Sequence, residues 1–119
     1  MAGETVVVTG ATGLIAKHTM CELLRRGYQV RGTVRAFLTV DPVVKTLVKA
    51  GAPVANLSFA AADLLSDDGW DAAMADAAYV LHMASPFPME QPSNAEDLIA
   101  PARDGTKRVM LASHRNAVK

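Results

Sequence analysis

The chain reads as an α/β fold, a doubly wound parallel sheet of about four strands with helices on both faces. Three observations predict it. Short β-branched and apolar runs recur along the sequence, beginning with Val6-Val7-Val8. Between them stand segments with apolar residues at helical spacing, and no segment repeats another, so neighbouring strands are joined by helices and run parallel. Glycines mark the point where the first strand gives way to a helix, as a tight strand-to-helix turn requires. The expected strand order is 3-2-1-4, which puts the switch in strand order between the first and fourth strands.

The first strand runs into Thr9-Gly10-Ala11-Thr12-Gly13-Leu14-Ile15-Ala16. Such a turn aims unpaired backbone N–H groups past the end of the strand, where a pyrophosphate can sit against the positive pole of the helix. The spacing is the Thr-Gly-x-x-Gly-x-x-Ala variant of the dinucleotide fingerprint. Gly10 serves the turn, Gly13 lets phosphates approach the backbone, and Ala16 lets the helix lie close on the strand. The candidate cradle residues are Gly10, Thr12, Gly13, Leu14 and Ile15. A glycine-containing loop that binds nothing is the competing reading, and the strand before and helix after weigh against it.

A helix follows from Leu14 to Arg26, with Leu14, Ile15, His18, Cys21 and Leu24 at helical spacing and Gly27 as its stop. Tyr28 to Arg35 alternates and is β-rich, hence a second strand. Arg35 ends it, facing the adenosine ribose of a dinucleotide. An acidic residue there would bind a ribose 2′-hydroxyl and repel a 2′-phosphate, whereas a guanidinium presents a rigid fork of donors to phosphate oxygens. NADP is therefore the expected cofactor, with an ordinary surface arginine as the alternative. Asp41-Pro42 opens a second helix as N-cap and first residue, with Val43, Val44, Leu47 and Val48 inward, ending at Gly51. Lys45 near its start could reach the same phosphate or be solvated.

Leu57 to Ala61 forms a third strand ending in Ala62-Asp63-Leu64, Ser66-Asp67-Asp68 caps a short helix through Trp70 and Met74, and Ala78 to His82 is a fourth strand. The loop Met83-Ala84-Ser85-Pro86-Phe87-Pro88 then lies over the cradle. From Asn94 a last helix carries Leu98, Ile99, Val109, Met110 and Leu111, and Pro101 is expected to bend or break it after its first turn.

The 119 residues make room for one domain, 1–119, and one modest core. Twelve Lys and Arg balance twelve Asp and Glu, which disfavours nucleic acid and anionic membrane as partners. No apolar run approaches the roughly 20 residues that cross a bilayer. The amino terminus shows no secretory pattern, and the lone Cys21, read as core, fits a reducing, cytoplasmic setting. His18 and His82 lack carboxylate or cysteine partners at metal or triad spacing, so no metal site is expected and both are read as structural.

Thr9 to Ala16, Val30-Arg31-Gly32-Thr33-Val34-Arg35, Ala62-Asp63-Leu64 and Leu81-His82-Met83-Ala84-Ser85-Pro86 together resemble the extended short-chain dehydrogenases/reductases, a family with a Rossmann-like fold. Within it they look most like the branch of dihydroflavonol reductases, cinnamoyl-CoA reductases and NADPH-dependent aldehyde or ketone reductases. The resemblance covers essentially the whole chain. It implies that Gly10, Gly13, Leu14 and Ile15 hold the pyrophosphate, Arg35 the 2′-phosphate, Asp63 and Leu64 the adenine, and Ala84 and Ser85 the ribose on the nicotinamide side. The family's chemistry also needs a tyrosine that protonates the substrate carbonyl, a lysine four residues later and a carbonyl-orienting serine or threonine. Tyr28 is followed at that place by Gly32 and Tyr79 by Met83. The expectation is thus an incomplete NADP(H)-binding domain without a substrate domain, the amino-terminal cofactor half of a longer carbonyl reductase. A small carbonyl substrate would enter only with the remaining half supplied. The alternative is a dinucleotide-binding module with no turnover of its own. The outer margin of the fourth strand, apolar at Ala78, Val80 and Leu81, is expected to promote self-association.

Overall fold

A computed structural model describes residues 3–37, 40–84 and 96–118, the last stretch without the side chains of 96–98. The elements are β1 (Thr5–Val8), α1 (Leu14–Arg25), β2 (Gln29–Val34), α2 (Val40–Lys49), a 3-10 turn (Val54–Asn56), β3 (Leu57–Ala61), α3 (Trp70–Met74), β4 (Tyr79–Leu81) and α4 (Glu96–Arg115). The four strands form one sheet in the order β3-β2-β1-β4. Every pairing is parallel, as expected. Val8 stands level with Gly32 on one side and Leu81 on the other, so β1, β2 and β4 deliver their following loops to one edge of the sheet.

The alternation of side chains along β1 divides the core. Val6 and Val8 point to the face covered by α1 and α2, where they join Met20, Leu24, Val30, Val34, Val43 and Leu47. Val7 points to the other face and packs with Trp70, Met74, Val109 and Ala112 from α3 and α4. Val7 is fully buried between two layers, a burial that contributes about 1.5–3 kcal/mol. Cys21 is free and buried, as read from the sequence.

Several details differ from the sequence reading. The strands β2 and β4 are each one residue shorter at both ends than predicted. In α1 the inward residues are Ala16, Met20, Cys21 and Leu24, while Leu14, Ile15 and His18 are exposed. In the first turn of α1 only Ala16 turns onto the sheet, and Leu14 and Ile15 point away from it. The helix α2 already begins at Val40, which puts Asp41 and Pro42 inside its first turn and not at its cap. It lies towards the sheet margin and buries only a narrow stripe, Val43 and Leu47, leaving Val48 exposed.

The predicted cap at Ser66-Asp67-Asp68 does not form. The Ser66 hydroxyl is taken by the Asp68 N–H at 3.2 Å, inside the preceding turn. Gly69, in the left-handed region at φ 87°, is the N-cap of α3 and offers no side chain. Nor does Pro101 break α4, which runs as one 20-residue helix with the proline inside it; Asn94 lies outside the described residues. Proline removes one backbone donor, whereas Gly105, Val109 and Ala112 seat the helix on the sheet, and packing decides. The residues of α4 that turn inward are these small ones. Ile99, Met110 and Leu111 are exposed, contrary to the apolar pattern. Leu98 has no described side chain.

Candidate cofactor site

The turn between β1 and α1 is held by both flanking strands. The Gly10 N–H donates to the Thr33 hydroxyl at 3.2 Å and the Ala11 N–H to the Thr33 carbonyl at 2.9 Å. The Thr9 N–H donates to the Leu81 carbonyl at 3.1 Å on the other side. Gly10 has φ +70°, and a Cβ there would lie 2.8 Å from the Ala84 Cα, so both conformation and space require glycine.

Gly13 is different. It is the N-cap of α1 at φ −72° and ψ 153°, ordinary extended backbone, and its own N–H donates to the Gly10 carbonyl at 3.0 Å. A Cβ there would meet the Gly10 carbonyl oxygen at 3.4 Å and the Ala16 Cβ at 4.0 Å, which is normal contact. The fold itself therefore has no need of glycine at 13; the space it leaves is in front of the helix. No side chain caps α1. The N–H groups of Leu14, Ile15 and Ala16 are the first of the helix, without an intrahelical acceptor, and no partner for them occurs among the described residues. Three amides at the positive end of a helix, with no Cβ before them, suit an anionic group such as pyrophosphate. The exposure of Leu14 and Ile15, at 70% and 72%, agrees with a role carried by their amides. Thr12 is exposed on the same turn.

Arg35 follows the last residue of β2 and is exposed, with no carboxylate or carbonyl partner among the described residues. Lys45 is exposed on α2. Asp63 is half-buried after β3, its Oδ1 accepting the Leu65 N–H at 3.0 Å while its carbonyl accepts from the Trp70 indole at 3.0 Å. Leu64 turns its side chain into the core, and its carbonyl accepts from Arg108 at 2.7 Å. Arg108 also pairs with Asp67 at 2.7 Å, so α4 holds the loop in which Asp63 stands. Nearby, the Arg115 guanidinium and the Asn116 amide donate to Asp71, and the arginine keeps that carboxyl below its ordinary range.

Ala84 is half-buried against the cradle; Ser85 lies outside the described residues. Thr9 and His82 form the contact that the sequence reading missed. The Thr9 side chain is fully buried, and its Oγ1 lies 2.8 Å from the His82 Nδ1. The same oxygen accepts the N–H of Met83 at 2.8 Å and of Ala84 at 2.9 Å. A threonine ending the first strand and a histidine ending the fourth are the signal that could have found it, since the 3-2-1-4 order sets those ends side by side. His82 has no carboxylate or cysteine partner among the described residues. It has a polar partner nonetheless, and burial lowers its pKa below the ordinary 6.5.

Residues 6–119 match the NAD dependent epimerase/dehydratase family. A cinnamoyl-CoA reductase of Medicago truncatula is 38% identical over 109 residues, covering 91% of this chain and 33% of its own length. A dihydroflavonol 4-reductase of Dianthus caryophyllus is 37% identical over 107 residues, covering 87% of this chain and 28% of its own. Among solved structures, Gre2 of Candida albicans in complex with NADPH superposes with a TM-score of 0.79 at 37% identity, covering 95% of this chain and 33% of that one. The chain spans about a third of the length of these relatives.

Proposed function

The chain belongs to the NAD dependent epimerase/dehydratase family, and from that premise we propose that it is the NADP(H)-binding part of an oxidoreductase that reduces a ketone or aldehyde to an alcohol. The observation that carries the reading is the amino terminus of α1, where three amides without a partner among the described residues stand behind a glycine whose Cβ would make only ordinary contacts. The amides of Leu14, Ile15 and Ala16 would hold the pyrophosphate, and Arg35, with Lys45 near it in sequence, the 2′-phosphate. The Asp63-Leu64 backbone and Asp63 carboxylate would border the adenine, and Ala84 with Ser85 the ribose on the nicotinamide side. NADPH, when bound, supplies the hydride. The relatives and the NADPH-bound Gre2 structure support this reading, as does the arginine at the end of β2. A cytoplasmic setting fits the free, buried Cys21.

A second reading, a dinucleotide-binding module without turnover, is favoured by one observation. Neither tyrosine stands four places before a lysine: Tyr28 packs against the α1 and α2 face of the core and Tyr79 lies on the edge strand β4. The proton donor would then come from outside these residues, as would any site for the carbonyl substrate.

The test is calorimetric titration of NADPH and NADH into the chain and its Arg35→Ala variant. A charge-assisted contact to the 2′-phosphate is worth about 1–3 kcal/mol, so NADPH should bind one to two orders of magnitude tighter and the preference should vanish in the variant. Equal affinities in the parent chain would refute the assignment of Arg35.

A further inference from the structure

We propose that His82 is a positioning residue of the cofactor cleft, accepting the Thr9 hydroxyl proton at Nδ1 and so locking the backbone after β4 onto the turn after β1 only while its imidazole is neutral. The inference rests on the reading of the cleft as a dinucleotide site.

It follows from counting hydrogens on one oxygen. A threonine hydroxyl has one proton to give and two lone pairs to receive. The N–H groups of Met83 and Ala84, at 2.8 and 2.9 Å, occupy both lone pairs of Thr9 Oγ1. The third contact, 2.8 Å to His82 Nδ1, can only be the hydroxyl donating to a bare nitrogen. His82 is therefore the tautomer with its proton on Nε2. An imidazolium would place a further N–H against an oxygen that already has two, and one backbone amide would have to leave. The amide at risk belongs to Met83 or Ala84, and the Ala84 backbone is what closes on Gly10. Protonation thus loosens the wall of the cleft next to the glycine turn.

The surroundings favour the neutral form. His82 is half-buried beyond the end of β4, beside β1, and Thr9 is its hydrogen-bonding side chain among the described residues. Burial lowers its pKa. The unfolded chain therefore takes up the proton first. Burying His82 costs the fold nothing above the ordinary value of 6.5, and stability is lost as pH falls below it.

The test follows the Met83 and Ala84 amides and the His82 ring by NMR in the cofactor-free chain from pH 8 to 5. NADPH affinity is then measured over the same range for the chain, His82→Asn and His82→Leu. Asparagine places a non-titrating acceptor near the Nδ1 position, and leucine offers none. The amides should shift with the histidine's own titration. Affinity in the parent chain should fall about tenfold relative to His82→Asn on acidification, the equivalent of one lost hydrogen bond. Referring each value to His82→Asn cancels the ionisation of the 2′-phosphate itself. His82→Leu should bind more weakly at every pH, with His82→Asn recovering most of the loss. Amides that ignore the histidine titration, or equal acid losses in the parent and His82→Asn, would overturn the proposal. Coupled titration without NADPH binding at any pH would confirm the clasp and overturn the cofactor reading; the amide titration needs no variant to fold.

Discussion

Replacing Gly13 by alanine separates a glycine required by a ligand from one required by the fold. The added methyl meets the Gly10 oxygen at 3.4 Å and otherwise only the Ala16 Cβ at 4.0 Å. At φ −72° the backbone needs no left-handed freedom. Alanine is a poorer N-cap than glycine, costing up to about 1 kcal/mol, and it restricts the unfolded chain, returning about 0.4–1 kcal/mol. The net change in stability should fall within about 0.5 kcal/mol of zero. Gly10→Ala is the contrast. It forces alanine to φ +70° and puts a methyl 2.8 Å from the Ala84 Cα. The left-handed conformation costs about 1–2 kcal/mol and the overlap about 1–3, giving a loss of about 2–5 kcal/mol. Urea unfolding should therefore leave the midpoint of Gly13→Ala almost unchanged and lower that of Gly10→Ala clearly. NADPH binding should nevertheless weaken in Gly13→Ala. A methyl before the three amides keeps phosphate oxygens at a distance, and each charge-assisted bond lost costs about 1.5–3 kcal/mol, so affinity should drop at least about tenfold. NADPH affinity of the parent strength in a stable Gly13→Ala variant would refute this account of the cradle, as would a Gly13→Ala midpoint as low as that of Gly10→Ala.

The remaining expectations concern chemistry and assembly. The 119-residue chain should show no NADPH oxidation with a panel of small aldehydes and ketones, because neither Tyr28 nor Tyr79 stands four places before a lysine and a positioned proton donor is worth a factor of about 10²–10⁴; enzyme-dependent absorbance loss at the nicotinamide band would contradict this. The outer side of β4 pairs with no strand among the described residues and exposes Tyr79 and Leu81. Light scattering across a dilution series should therefore reveal self-association. A monomer at high concentration, with protected amides along 79–81, would show the edge to be covered.

The pattern of α4 shows where reading by hydropathy misleads. Its large apolar residues Ile99, Met110 and Leu111 face solvent, and Gly105, Val109 and Ala112 face the core, because the helix must lie close to Leu64 and β1. Periodicity reports which residues are apolar, not how near the neighbouring layer comes. The first turn of α1 misleads in the same way, since the small Ala16 faces the sheet and the larger Leu14 and Ile15 face away from it.

The sequence by itself determined the alternation of strand and helix, the 3-2-1-4 order and the glycine turn with Arg35 at the next strand's end. The alternation and the turn rest on local steric preference and patterning within one or two elements, which a linear reading contains, and the order on the topology rule for parallel crossovers. Only the tertiary structure decided that Thr9 and His82, 73 residues apart, share a hydrogen bond, that Arg108 holds the Leu64 carbonyl, and that Pro101 lies inside an unbroken helix. Each depends on distances between elements far apart in sequence. The partners of a buried hydroxyl, and the packing that outweighs a proline, exist only once the layers have closed.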